Sequence, residues 1–196
     1  MCTKCLYDLP YSGFEHDPEN PVARQFWGRV PIKHAISVFV FSKGGSVQKL
    51  LHALKYDHAQ AAGVFLGRIA GKKIRDSGWF STPDFIIPVP LHPKRLRQRG
   101  YNQSLLIAQG ISEVLNVPVL ENVLVRQSNT ATQTKRSRFE RFINMQDSFK
   151  VLSTAEISGK HLLLVDDILT TGATLEACIE ILSTSFSSIC TIAYTN

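Results

Sequence analysis

The sequence predicts an α/β domain built on a doubly wound, mainly parallel sheet. Three observations carry that prediction. Apolar runs of strand length alternate with stretches whose apolar residues recur at helical spacing, the order that builds parallel sheets. One run, Leu162 to Val165, is apolar at every position, as expected of a strand covered on both faces. A length of 196 residues with 44% apolar content suits one such domain with a core of ordinary size.

Taken in chain order, residues 1–34 read as an irregular N-terminal segment, because Pro10, Gly13, Pro18, Pro21, Gly28 and Pro31 interrupt any period. The domain proper spans 35–196. Ala35 to Phe41 predicts a strand that Gly44-Gly45 turns. Val47, Leu50, Leu51 and Leu54 then fall at helical spacing, and Ala62, Phe65, Leu66 and Ile69 repeat it. Asp84 to Val89 predicts a strand leading into a basic loop over 90–103. Ser104, Ala108, Ile111 and Leu115 mark a helix, and Val117 to Leu120 a strand. Residues 126–147 are polar and basic without apolar period, which predicts a long functional or disordered loop. Phe149 to Leu152 returns to strand, followed by the Leu162–Val165 strand. A helix through Leu175, Cys178, Ile179 and Leu182 and a strand over Ile189 to Tyr194 close the domain.

Charge and cysteine usage narrow the partners. A net charge of +6 suits an anionic ligand but does not separate a phosphorylated metabolite from DNA. No run reaches the roughly 18–20 apolar residues of a membrane span. The start Met-Cys-Thr-Lys-Cys lacks an apolar signal region, so a cytoplasmic protein without a membrane partner is expected. Cys178 and Cys190 read as buried core thiols. Cys2 and Cys5 form a Cys-x-x-Cys pair, half of a zinc ribbon. Zinc needs four ligands and only His16 stands nearby, so a filled site is not expected. The pair reads as the remnant of a longer finger.

The chemistry concentrates after Val165. Asp166 and Asp167 end the apolar run, at the edge where open α/β sheets bind ligands. Thr170, Thr171, Gly172, Ala173 and Thr174 follow, offering N–H groups and hydroxyls at a helix N-terminus that favours a phosphate. An Asp-Asp pair before a Thr-rich turn can also be no more than a helix cap. The whole string is far less common than that dipeptide. It matches the phosphoribosyl-pyrophosphate (PRPP) motif of type I phosphoribosyltransferases.

Three further segments could share that edge. The loop after Val89 carries His92, Lys94, Arg95, Arg97 and Arg99, with Pro88, Pro90 and Pro93 restricting its backbone. Such a loop suits a pyrophosphate, although a solvated basic patch has the same composition. Lys135, Arg136 and Arg138 make a lid candidate. His52, Lys55 and Tyr56 are weaker, since a polar helix face accounts for them. Phe26, Trp27 and Tyr56 could wall a planar acceptor, with core packing the plainer use of the first two.

With these residues in place, the chain resembles the ComF family of phosphoribosyltransferase-like proteins. The resemblance rests on Pro88-Val89-Pro90-Leu91, on Arg97 through Arg99-Gly100-Tyr101-Asn102-Gln103, on Thr134 to Phe139 and on Val165 to Thr174. It implies the type I phosphoribosyltransferase fold over 35–196. It further implies that Asp166 and Asp167 hold the ribose diol and Mg²⁺, and that Thr170 to Thr174 take the 5′-phosphate. Val89, Pro90, Leu91, His92 and Arg99 would belong to the pyrophosphate loop, and Lys135, Arg136 and Arg138 to the flexible loop. The family usually carries a four-cysteine zinc module, of which only Cys2 and Cys5 stand here. The implied activity is phosphoribosyl transfer from PRPP to an unidentified nitrogenous acceptor, linked to competence. The rival expectation is a non-catalytic module that binds single-stranded DNA or a helicase. Oligomeric state is not legible in the sequence.

Overall fold

A computed structural model describes residues 3–56, 59–127 and 149–195. Four parallel strands form its sheet, in the order β1-β6-β5-β2. These are β1 (Ala35–Val40), β2 (Phe85–Pro88), β5 (His161–Leu169) and β6 (Phe186–Tyr194), while β3 (Leu124–Arg126) and β4 (Phe149–Val151) make a separate antiparallel pair. The central strands β5 and β6 are buried almost throughout, which explains why Leu162 to Val165 is apolar on both faces.

Each face of the sheet has its own cover. Helices α3 (Ser46–Tyr56), α4 (Gln60–Asp76) and α6 (Gln103–Leu115) pack Val47, Leu51, Leu54, Leu66 and Ile107 against Ile36, Ile86, Leu163 and Val165. On the other face, helix α7 (Ala173–Ile181) and the N-terminal segment cover Leu162, Leu164 and Ile189 with Leu175, Val22 and Phe26. Helices α4 and α6 approach closely because both present glycine. A Cβ at Gly67 would lie 2.1 Å from the Ile107 carbonyl oxygen, and one at Gly110 2.1 Å from that of Val64.

Four expectations are corrected in detail. Residues 1–34 are not wholly irregular: they contain α1 (Thr3–Tyr7), a 3₁₀ turn at Phe14–His16 and α2 (Pro21–Arg24). Asn20 caps α2 through its side chain and donates to the Ala35 carbonyl at 2.8 Å, tying the segment to β1. The basic loop is largely helix α5 (Pro93–Arg99). His92 caps it by accepting from the Lys94 N–H at 3.2 Å, Pro93 opens it, and Gly100 (φ 84°) ends it. Val117 to Leu120 makes a single parallel bridge to β2, between Val119 and Ile86. Pro118 has no N–H to give, and only its carbonyl joins the ladder, accepting from Ile86 at 2.9 Å. Finally, β5 does not leave the sheet at the acid pair but pairs with β6 as far as Leu169.

Candidate active site at the carboxyl edge of the sheet

The ends of β5 and β2 bring the two sequence signals together. Asp166 and Asp167 lie within the last turn-outs of β5, and alternation along a strand sends their side chains to opposite faces. Asp166 shares a depression with Ile168, Thr170, Thr171, Gly172, Ala173 and Thr174. Its Oδ1 accepts from the Ser104 hydroxyl at 3.0 Å and from the Asp167 N–H at 2.8 Å. Among the described residues its Oδ2 has no hydrogen-bond partner.

Asp167 is buried and ion-paired through Oδ2 with the Lys55 ammonium, in contact without an aligned hydrogen bond. The half-buried Asp166 and the buried Asp167 thus have one lysine close by, in contact with Asp167. Burial, reinforced by the charge of Asp167, pushes the Asp166 carboxyl up to about 7 from an ordinary 3.8. The site is therefore short of positive charge.

The phosphate-loop candidate is a tight turn. Gly172 holds φ 80° as the N-cap of α7, and a Cβ there would lie 3.1 Å from the Phe26 ring. The N–H groups of Thr170, Thr171 and Gly172 find no backbone acceptor among the described residues. Free N–H groups at a helix start are the donors that anions use.

On the other side of the edge, the Val89 N–H donates to the Val165 carbonyl at 2.9 Å and its carbonyl accepts from Asn102 at 3.0 Å. The Val89 side chain is buried, so backbone alone is offered there. Pro90, Leu91 and His92 are half-buried, with His92 Nδ1 committed to the α5 cap. Arg99 contacts the Gln103 side chain, sits over the Tyr56 ring at 5.8 Å, and lines a cleft of about 380 Å³ with Lys55, Tyr56, Arg95 and Gln98.

Comparison with known proteins bears on this geometry. The model of the phosphoribosyl transferase domain matches residues 101–191, from the start of α6 through the phosphate loop into β6. Competence protein F of Haemophilus influenzae is 40% identical over 101 residues, 51% of this chain and 44% of that protein. The DNA utilization protein YhgH of Salmonella typhimurium is 29% identical over 185 residues, 93% of this chain and 77% of that protein. Competence protein ComFC of Bacillus subtilis is 31% identical over 90 residues, 46% of this chain and 34% of that protein.

By these relatives the chain is similar to the ComF family of phosphoribosyltransferase-like proteins.

The match spans less than half the length of the Haemophilus relative. The described residues bring Asp166, Asp167 and Thr170 to Thr174 to one edge, with Arg99 joined to it through Lys55. Lys135, Arg136, Arg138 and Cys2 lie outside the described residues, as does the Cys5 side chain. Phe26 does not wall an acceptor, because it is fully buried beneath Gly172.

Two contributors carry little sequence signal. Lys55 follows the apolar stripe of α3 like any exposed lysine, and only the fold sets it against Asp167. Arg126 ends β3, half-buried and 5.1 Å over the Phe149 ring. Burial holds its guanidinium below the usual range, and the nearby charges are those of Arg95 and Asp166. Among the described residues no helix is long and apolar enough to cross a membrane.

Proposed function

We propose that this protein binds PRPP with Mg²⁺ and transfers its phosphoribosyl group to a nitrogenous acceptor. One observation carries the reading: Asp166, whose Oδ2 has no hydrogen-bond partner among the described residues, and Thr170 to Gly172, whose N–H groups find no backbone acceptor there, line one depression. A ribose 5-phosphate has hydroxyls and a phosphate at complementary positions. Asp166 and Asp167 accept from the ribose hydroxyls, while Thr170 to Thr174 hold the 5′-phosphate by N–H and hydroxyl donors. Lys55, Arg95 and Arg99 supply positive charge toward the pyrophosphate.

The residues also fit the metal. Mg²⁺ keeps several waters and binds through one or two carboxylates plus substrate phosphates, which matches a carboxylate pair in excess of its lysine. Held by Asp166 and Asp167, it would supply charge neutralisation of the pyrophosphate leaving group. In the transfer, the bond from ribose C1 to the pyrophosphate oxygen breaks and pyrophosphate departs with the electron pair. A bond from C1 to the acceptor nitrogen forms, and that nitrogen gives up its proton. Asp166 and Asp167 stabilise the sugar as positive charge develops on it, and the fixed loops supply orientation.

Calorimetric titration of the Asp166→Asn, Asp167→Asn double variant tests the donor site. Mg²⁺-dependent PRPP binding by the wild type and none by the folded variant is the expected result; retained binding by the variant contradicts the reading. Pyrophosphate release that requires an added nitrogenous compound tests the transfer.

The names of the relatives favour a second reading, in which the chain serves DNA uptake by binding single-stranded DNA or a helicase. Its support is the α5 face, where Lys94, Arg95 and Arg97 are exposed and make no ion pair among the described residues. DNA binding through these cations would weaken steeply with salt, whereas PRPP binding would require Mg²⁺.

A further inference from the structure

We propose that Gln25 and Arg29 are positioning residues that clamp the phosphate loop from behind, and that Arg29 sets its affinity for a sugar 5′-phosphate by neutralising Glu176. The proposal rests on the PRPP reading for the identity of the ligand and on separate contacts for the clamp.

The contacts run from the N-terminal segment to two successive carbonyls. Gln25 Nε2 donates to the Thr170 carbonyl at 2.7 Å, and Arg29 Nη2 to the Thr171 carbonyl at 3.2 Å. Arg29 Nη1 also donates to the Gln25 carbonyl at 3.0 Å, which links the two arms of the clamp. A trans peptide is planar, with its C=O and the next N–H pointing opposite ways. Pulling the Thr170 and Thr171 carbonyls toward the N-terminal segment therefore turns the N–H groups of Thr171 and Gly172 away from it. These are N–H groups without a backbone acceptor. Phe26, fully buried between the two clamp residues in sequence, packs beneath Gly172 and leaves the turn no room to fall back.

The electrostatics demand the same arginine. Glu176 is only 2% exposed and lies one turn into α7, where its charge would repel a phosphate at the helix start. Its Oε2 accepts from Arg29 Nη2 at 2.7 Å, while Oε1 lies against Nε in ion-pair contact. One guanidinium thus cancels the buried carboxylate and orders the loop that must take the anion.

Two measurements on the whole chain test this. Backbone ¹⁵N relaxation reads the clamp without any ligand: Arg29→Met and Gln25→Ala should each lower the order parameters of the Thr171 and Gly172 amides, and unchanged order there overturns the clamp. Titration with ribose 5-phosphate and, separately, with Mg²⁺-pyrophosphate reads the affinity. Arg29→Met should weaken ribose 5-phosphate about tenfold and leave pyrophosphate unchanged. Adding Glu176→Gln should restore most of the lost affinity and remove the unpaired buried charge that could unfold the single variant. Equal loss for both ligands, or no rescue by Glu176→Gln, overturns the electrostatic role. Variants that loosen the loop as expected, beside a wild type that binds no ribose 5-phosphate, overturn the PRPP reading and leave the clamp standing.

Discussion

Strand β5 carries polar groups at both ends, and the two ends treat them differently. At its start, His161 is buried and fully engaged: its N–H donates to Asp84 at 2.8 Å, Nε2 pairs with the Ser188 hydroxyl at 2.7 Å, and Nδ1 lies 3.3 Å from the Thr82 carbonyl. A buried polar group whose partners are all in place costs little. At the far end, Asp166 and Asp167 place two carboxylates against one lysine and leave an oxygen of Asp166 unpartnered. The first end is finished as it stands. The second is left with an acceptor open, and it is there that the proposed cation and ligand would bind.

The largest expected effect breaks the carboxylate end. Lys55→Met leaves Asp167 buried beside Asp166 without its cation and should cost roughly 3 kcal/mol of stability, read from denaturant midpoints. An unchanged midpoint would show that the pair is solvated and the charge shortage unreal. At the other end, His161→Ala should cost about 2 kcal/mol, from a cavity and the unpaired Ser188 hydroxyl. It should nevertheless leave the response to Mg²⁺ and PRPP intact, because it lies across the sheet from the site. A lost response would mean the two ends are coupled.

A smaller effect sharpens the comparison by sign. Burial lowers the affinity of His161 and His34 for protons, so the unfolded chain binds more protons below about pH 6.5 and stability falls on acidification. Asp166, raised to about 7 from 3.8, holds its proton in the folded state while the unfolded chain has lost it. Its contribution therefore declines as pH rises from about 4 to 7. In chelator-containing buffer, the Tm of Asp166→Asn should rise relative to that of the wild type as pH increases from 5 to 7.5. A constant gap across that range would refute the assignment.

Which parts could be read in advance follows from how far each signal reaches. The sheet and the acid-pair strand were readable because a continuous apolar run and a hydroxyl-rich turn are local patterns. Helix α5 hid behind its charge, although Pro93 at its first position and Gly100 past its end are ordinary start and stop signals. The single bridge at Val119 shows an apolar run curtailed by Pro118. Lys55 against Asp167, and Gln25 and Arg29 against the phosphate loop, join residues more than a hundred positions apart, and no local period encodes such pairs. The N-terminal segment illustrates the point best. Its prolines and glycines suggested an appendage, yet Val22 and Phe26 are fully buried and its side chains brace the site.

The most direct test of the central claim is thermal unfolding of the wild type with Mg²⁺ and PRPP, beside Mg²⁺ with pyrophosphate and Mg²⁺ alone. A ligand of the folded state at about 100 Kd adds roughly 2.7 kcal/mol. A rise in Tm with PRPP that exceeds both controls is the result predicted for an edge that holds ribose, 5′-phosphate and metal together. A wild type that unfolds at the same temperature in all three conditions would contradict it.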